Sequence, residues 1–139
     1  MKQFSATIQI QASPERVWAL LVDTGSWQKW NTTIDHVEGA NTVGSKVTVH
    51  AKINPGKSFP VNVTSMTAGR KIVWASGMPM GLFKGERTYT LMPNSGGVSF
   101  SMTEIYSGPM AGMITKSIPD LQPAFDEFAR CLKSEAEKG

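Results

Sequence analysis

The sequence holds a single cysteine, Cys131, so no internal disulfide can form, and a reducing, cytoplasmic location is expected. No apolar run approaches the ~18 residues of a membrane-spanning helix. Residues 1–11 alternate polar and apolar side chains instead of forming the continuous apolar stretch of a signal peptide. Stable membrane insertion is therefore not expected. Charge of either sign is sparse: fourteen basic and eleven acidic residues leave a net +3. The basic residues are scattered from Lys2 to Lys138, with no dense cluster to displace counterions from nucleic acid, so nucleic acid is not an expected partner. The two histidines, His36 and His50, lack the paired spacing with Cys, Asp or Glu that a zinc site uses; both read as surface residues, and no metal or cofactor is expected. The glycine-rich stretches at Gly77–Gly85 and Gly96-Gly97 do not form a phosphate loop, because no Gly-Lys-Ser/Thr opens a helix after them.

What remains is a folded globule: 139 residues, 40% hydrophobic and 18% charged. That size suits one domain over residues 1–139, which can bury roughly two thirds of its unfolded surface unaided. There are no internal repeats, low-complexity tracts or linkers.

Phe4, Ala6, Ile8 and Ile10 alternate with Ser5, Thr7 and Gln9, predicting a strand with one wet face. Ser13-Pro14-Glu15 predicts a helix start, with Ser13 as the cap and Val17, Leu20 and Leu21 as the buried side. Asp23–Ser26 should end this helix, and Trp27–Trp30 should form a second short turn that anchors against the sheet. Strands separated by turn residues follow. They are Ile34–Glu38, a face of Val47, Val49, Ala51 and Ile53, a type II turn at Asn54-Pro55-Gly56, a face of Phe59, Val61 and Val63, and Arg70–Ser76. Gly77-Met78-Pro79-Met80-Gly81 is looser. A strong strand, Leu82–Met92, then turns through Pro93–Gly97 into Val98–Tyr106.

After Ser107-Gly108-Pro109 the period changes. Met110, Ile114, Ile118, Leu121, Phe125, Phe128 and Leu132 form an apolar stripe at helical spacing. It predicts a helix of about 25 residues, roughly 38 Å long, with a kink or break near Ile118 caused by Pro119 and Pro123. Helices segregated from an antiparallel meander define the α+β class. A sheet of about seven strands must curl around the terminal helix to hide its apolar face, leaving a space suited to an apolar ligand.

Ser13–Trp18 with Trp27 and Trp30, Lys71-Ile72-Val73-Trp74, Gly85–Leu91 and Ser107–Gly112 together resemble the SRPBCC superfamily. It includes START lipid-transfer, birch-pollen-allergen-like and polyketide cyclase/dehydrase-like proteins. The resemblance covers nearly the whole chain and implies a START-like, helix-grip domain with a ligand cavity. It does not single out one activity.

Parity places Arg87, Tyr89 and Leu91 on one face of their strand, and Met102, Glu104 and Tyr106 on the matching face of the next. A hairpin centred near Ser95 brings Arg87 close to Glu104, as the polar handle of an apolar pocket, since an isolated buried ion is far too costly. The same pair read as a solvated rim bridge would contribute under about 1 kcal/mol. Phe59, Trp74, Met78, Met80, Phe83, Met102 and Met113 are candidate lining residues, because aromatic and methionine side chains adapt to irregular apolar ligands. Met78 and Met80, between glycines, form a candidate gate. Cys131 has no histidine beside it to make it a nucleophile.

The expected partner is a hydrophobic small molecule such as a lipid, quinone or polyketide-like compound, and no catalytic set is recognisable. The alternatives are a cyclase-like enzyme with Glu104 as general acid/base, and a protein-interaction module using the outer face of Lys46, Thr48, His50 and Lys52. A guanidinium beside Glu104 favours the carboxylate and so argues against the acid role. The interaction reading lacks an apolar patch to dock on. Oligomeric state is not legible.

Overall fold

A computed structural model describes residues 2–52 and 58–138. The expected Asn54-Pro55-Gly56 turn and Ile53 lie outside them. Strand β1, Lys2–Ile10, buries Phe4, Ala6 and Ile10, half-buries Ile8 and exposes Ser5, Thr7 and Gln9 between them. Helix α1, Pro14–Val22, begins as its sequence dictates: the Ser13 hydroxyl accepts the Arg16 N–H at 3.1 Å, and Pro14 occupies the first turn, where a missing N–H costs nothing. Its buried residues are Val17 and Leu21. A 3-10 turn, Thr24–Ser26, leads into α2, Trp27–Trp30, whose two indoles are both buried.

The meander then runs through β2 (Ile34–Glu38), β3 (Lys46–Ala51), β4 (Phe59–Thr67), β5 (Lys71–Met78), β6 (Phe83–Asn94) and β7 (Gly97–Ser107). These strands form one antiparallel sheet in the order β1-β7-β6-β5-β4-β3-β2. The β6–β7 hairpin is tighter than the five-residue turn expected at Pro93–Gly97. Pro93 pairs with Val98 and Asn94 with Gly97, leaving only Ser95 and Gly96 between the strands. Gly97 permits this closure, since its φ is +134° and a Cβ there would lie 2.3 Å from the Ile10 carbonyl oxygen.

The C-terminal segment breaks near Ile118, as its prolines demand. Helix α3 covers Ala111–Ile114, a 3-10 turn follows at Thr115–Ser117, and α4 covers Gln122–Lys138. Pro119 falls in the break, and Pro123 in the first turn of α4, beside the Gln122 N–H that the Asp120 carboxylate accepts at 3.1 Å. The gripped helix therefore has 17 residues rather than about 25. Its apolar stripe continues through Phe125, Phe128, Ala129, Leu132 and Ala136, all buried.

Phe128 is the hub of the core. Its ring centroid lies 5.1 Å from Trp27, 5.8 Å from Trp30, 5.8 Å from Tyr89 and 6.0 Å from Phe100. Two buried polar links lock this cluster. Trp27 Nε1 donates to the Leu20 carbonyl at 2.9 Å, and Asn41 accepts from Trp74 Nε1 at 2.9 Å while donating to the Leu21 carbonyl at 3.1 Å.

Helix α4 also covers the free edge of β1. The Gln122 amide both accepts the Ser5 N–H and donates to the Ser5 carbonyl, at 3.4 and 2.6 Å. Lys133 Nζ donates to the Gln9 carbonyl at 2.9 Å, and Glu137 accepts the Gln11 N–H at 2.8 Å. The Ser5 N–H and carbonyl and the Gln9 carbonyl, edge groups of the kind that invite association with another strand, are thus occupied.

Two outcomes test these links. Asn41→Ala strands the Trp74 indole N–H and the Leu21 carbonyl, and should lower stability by about 2–3 kcal/mol in urea denaturation. Hydrogen bonds from Lys133 and from the Gln11 N–H hold the Glu137 carboxyl below its ordinary pKa. Its contribution is therefore present above the unfolded pKa and lost as pH falls through the lower folded value. The urea-midpoint difference between wild type and Glu137→Gln should be largest near neutral pH and should shrink as pH falls below the ordinary carboxylate range.

Candidate functional site

The β6–β7 register sets Arg87 opposite Glu104. The pair is bidentate: Arg87 Nε donates to Glu104 Oε1 at 3.1 Å and Nη2 to Oε2 at 3.2 Å. Only 22% of the Arg87 side chain and 13% of the Glu104 side chain are exposed, which excludes the solvated rim bridge. The Tyr106 hydroxyl donates to Glu104 Oε2 at 2.5 Å, and Arg87 Nη1 lies 3.5 Å from the Tyr89 hydroxyl. Phe125 of α4 caps the guanidinium, its centroid 4.9 Å from Arg87 Cζ, a cation–π contact. Phe83 stacks on Tyr106 at 5.9 Å, and Phe4 meets the same ring edge-on at 6.3 Å.

Electrostatics follow from this packing. Burial alone would lower the pKa of Arg87, but the Glu104 carboxylate and the Tyr89 hydroxyl outweigh it and hold the pKa raised. Burial raises the Tyr106 phenol, and the adjacent Glu104 charge raises it further. Tyr89 is raised by burial, against the opposing pull of Arg87. At neutral pH the site thus presents a fixed cation and two phenolic O–H groups. Among the described residues, Arg87 uses one N–H each on Nε, Nη1 and Nη2, so donors of its five remain for another oxygen. The network has one carboxylate and neither imidazole nor thiol, a poor set for a metal ion.

The other sequence-selected residues divide into two groups. Trp74, Tyr89 and Met102 are each 1% exposed. They fill the centre of the grip: Trp74 stacks on Trp27 at 5.6 Å and meets Tyr89 edge-on at 5.1 Å. Open space is not what they face. Phe59, Met78, Met80 and Met113, in contrast, are 40%, 41%, 95% and 63% exposed. They stand on separate segments at one end of the sheet. Asn62 pairs with Ala75, so Phe59, three residues before Asn62, is level with Met78, three after Ala75. The Met110 N–H donates to the Leu82 carbonyl at 2.9 Å, tying the start of α3 to the β5–β6 connection.

That connection is conformationally demanding. Met80 has a φ of +63°, and Gly77, at +152°, would set a Cβ 2.2 Å from the Phe83 carbonyl oxygen. A hollow of about 400 Å³ opens beside it, lined by Ser76, Met78, Pro79 and Phe83 among others. A second, of about 410 Å³, lies between α2 and α4, bordered by Lys29, Trp30, Arg130 and Cys131. The Cys131 thiol there contacts Thr32 and Glu127, at 3.4 and 3.6 Å.

Sequence reasoning missed three contributors. Leu82, 39% exposed, belongs to the apolar rim but reads as an ordinary strand start. Phe125 lies over Arg87, a contact hidden in a stripe that reads only as core. Asn41 supports Trp74, and no local pattern announces it.

Over residues 1–137 the chain matches the family described as polyketide cyclase/dehydrase and lipid transport. No curated protein matches it at a significant level. Among solved structures it is similar to the protein MLL2253 from Mesorhizobium loti, with a TM-score of 0.74 and 16% identity over 99% of this chain and 98% of that one. A START superfamily protein from Mycobacterium smegmatis gives 0.71 and 15%, over 98% and 97%. Aha1 from Colwellia psychrerythraea, solved as a dimer, gives 0.68 and 21%, over 99% and 95%. At these identities the likeness shows the fold: an α+β helix grip.

The bidentate pair makes a stability prediction. Arg87→Met leaves Glu104 buried without its partner and should cost about 3 kcal/mol or more in urea denaturation. Arg87→Met with Glu104→Leu should recover most of that loss. Equal destabilisation of the single and double variants would show that the charges are not coupled.

Proposed function

The chain belongs to the polyketide cyclase/dehydrase and lipid transport family, and from that premise we propose that it binds and carries a hydrophobic small molecule of lipid, quinone or polyketide-like kind. One observation carries the proposal. Five apolar side chains, Phe59, Met78, Met80, Leu82 and Met113, are exposed on three segments around one end of the sheet, and the Arg87–Glu104–Tyr106 network lies further along β6 and β7 from that end. Scattered apolar residues on a surface need no explanation, but a group brought together from separate segments marks a contact site.

In this reading the rim admits the apolar body, Phe83 lines the entrance, and the spare donors of Arg87 meet an oxygen on the ligand. The packed cluster of Trp74, Tyr89 and Met102 forms the floor and fixes how deep a ligand can reach. The strained β5–β6 connection, with Met80 at its tip, serves as the gate. The domain works as one unit in the reducing cytoplasm, where the half-buried Cys131 thiol stays free.

Enzymatic use of the same site is disfavoured by one contact set. Glu104 already accepts two bonds from Arg87 and one from Tyr106, so acting as a general base would require breaking them.

Binding of a dansyl-labelled long-chain fatty acid, followed by fluorescence, tests the proposal. Wild type should bind it. Leu82→Asp and Met78→Asp, which alter exposed positions, should each weaken binding roughly tenfold or more, as expected for losing ~1.5–3 kcal/mol of side-chain burial, with unchanged melting temperatures. Native mass spectrometry of protein from its own host should show a retained apolar mass. Failure to bind, together with an empty protein from the host, would reject the carrier function.

A further inference from the structure

The histidines that sequence spacing set aside are brought face to face by the sheet. His36 of β2 and His50 of β3 are direct partners in the antiparallel ladder. Their rings stack at 4.0 Å with an interplanar angle of 15°. A bulge between Ile34 and His36 makes this possible. Ile34 is buried and simple alternation would turn His36 inward with it, but the extra residue rotates His36 onto the outer face, where His50 lies opposite buried-side Val47 and Val49. Glu38, two residues beyond His36, shares that face and reaches both rings. Its two oxygens lie 3.5 Å from His36 Nε2 and 3.6 Å from His50 Nε2.

Neither distance is a hydrogen bond, and His50 Nε2 is buried without a hydrogen-bond partner among the described residues. One ligand atom from each of the three side chains lies within 4.8 Å of the others. Two ligands about 2.1 Å from a tetrahedral ion stand roughly 3.4 Å apart, close to the spacings found. We propose that His36, Glu38 and His50 bind one divalent transition-metal ion on the outer face of the β2–β3 hairpin. Two imidazoles and one carboxylate select zinc, copper, nickel or cobalt over calcium or magnesium, which prefer all-oxygen sites. Three protein ligands leave the remaining positions open to water or to an external ligand. Parallel rings cannot both aim at one point, so binding must open the stack, and rotation about the Cβ–Cγ bonds does this without moving either strand. The ion cross-links an edge strand to its neighbour and therefore stabilises the hairpin.

Isothermal titration of the full chain with zinc chloride, and separately with magnesium chloride, tests the site. One equivalent of zinc should bind, magnesium should not, and zinc should raise the melting temperature. His36→Gln, Glu38→Gln and His50→Gln should each weaken zinc binding roughly tenfold or more, with circular dichroism confirming that each variant is folded. Cys131→Ser should bind zinc as wild type does. Cobalt(II) should give d–d bands without the sulfur charge-transfer band of a cysteine ligand. Absence of stoichiometric binding, undiminished binding by His36→Gln with His50→Gln, or loss in Cys131→Ser would overturn the proposal.

Discussion

One sheet with one apolar face has to be covered, chiefly by the terminal helix with α1 and α2 beside it, and nearly everything else in the molecule follows from that requirement. Helix α4 meets it with a single side, in which Phe125, Phe128, Leu132 and Ala136 enter the concave surface. Phe128 alone touches aromatic rings from α2, β6 and β7. Truncating such a ring in a close-packed interior typically costs about 3–5 kcal/mol, a large share of the stability of a domain this size. The same helix closes β1 through side chains that bond its edge carbonyls and amides. Covering a face and closing an edge are usually tasks for different elements, and combining them explains why α4 lies towards β1 instead of bisecting the sheet.

Much of this is legible in the sequence. Period-two alternation marked β1, the Ser13-Pro14 start marked α1, and the change of period after Ser107 marked the gripped helix. Parity and hairpin symmetry even predicted that Arg87 would meet Glu104, because both signals are local: face from alternation, register from the turn. The errors have physical causes of their own. The break near Ile118 is legible in Pro119 and Pro123, but the length of the gripped helix is not: the apolar stripe runs on across the break, whereas the continuous helix begins only at Gln122. The hairpin turn is shorter than its sequence suggests because Pro93 and Asn94, ordinary turn residues, sit at the end of a ladder that tolerates them.

His36 and His50 show a different limit. Fourteen positions separate them in sequence, and their meeting depends on a bulge that shifts one strand by a residue. A shift of that kind reverses which face a side chain occupies, and no composition signal in Ile34–Glu38 reveals it. Asn41 is illegible for a related reason, since its two partners come from α1 and β5. Contacts between distant elements that rest on polar geometry, unlike apolar stripes, leave no periodic trace.

The buried ion pair has the most to say about function. Stability does not account for it, because replacing a buried bridge with packed apolar residues of similar volume is often neutral or stabilising. Neighbouring positions show that this sheet readily accommodates apolar side chains: Leu91, Phe100 and Met102 occupy the same faces of β6 and β7 and are at most 1% exposed. A charge placed among them, capped by Phe125 and left with unused donors, carries a desolvation cost that the fold did not need to incur. That cost is intelligible where a polar group must be presented inside an apolar setting to an incoming molecule, since a donor already stripped of water binds an oxygen more strongly than an exposed one. On the proposed carrier function, Glu104 and Tyr106 would keep the guanidinium charged and aimed, and the methionine- and leucine-bearing rim at the end of the sheet would be the entrance for the ligand.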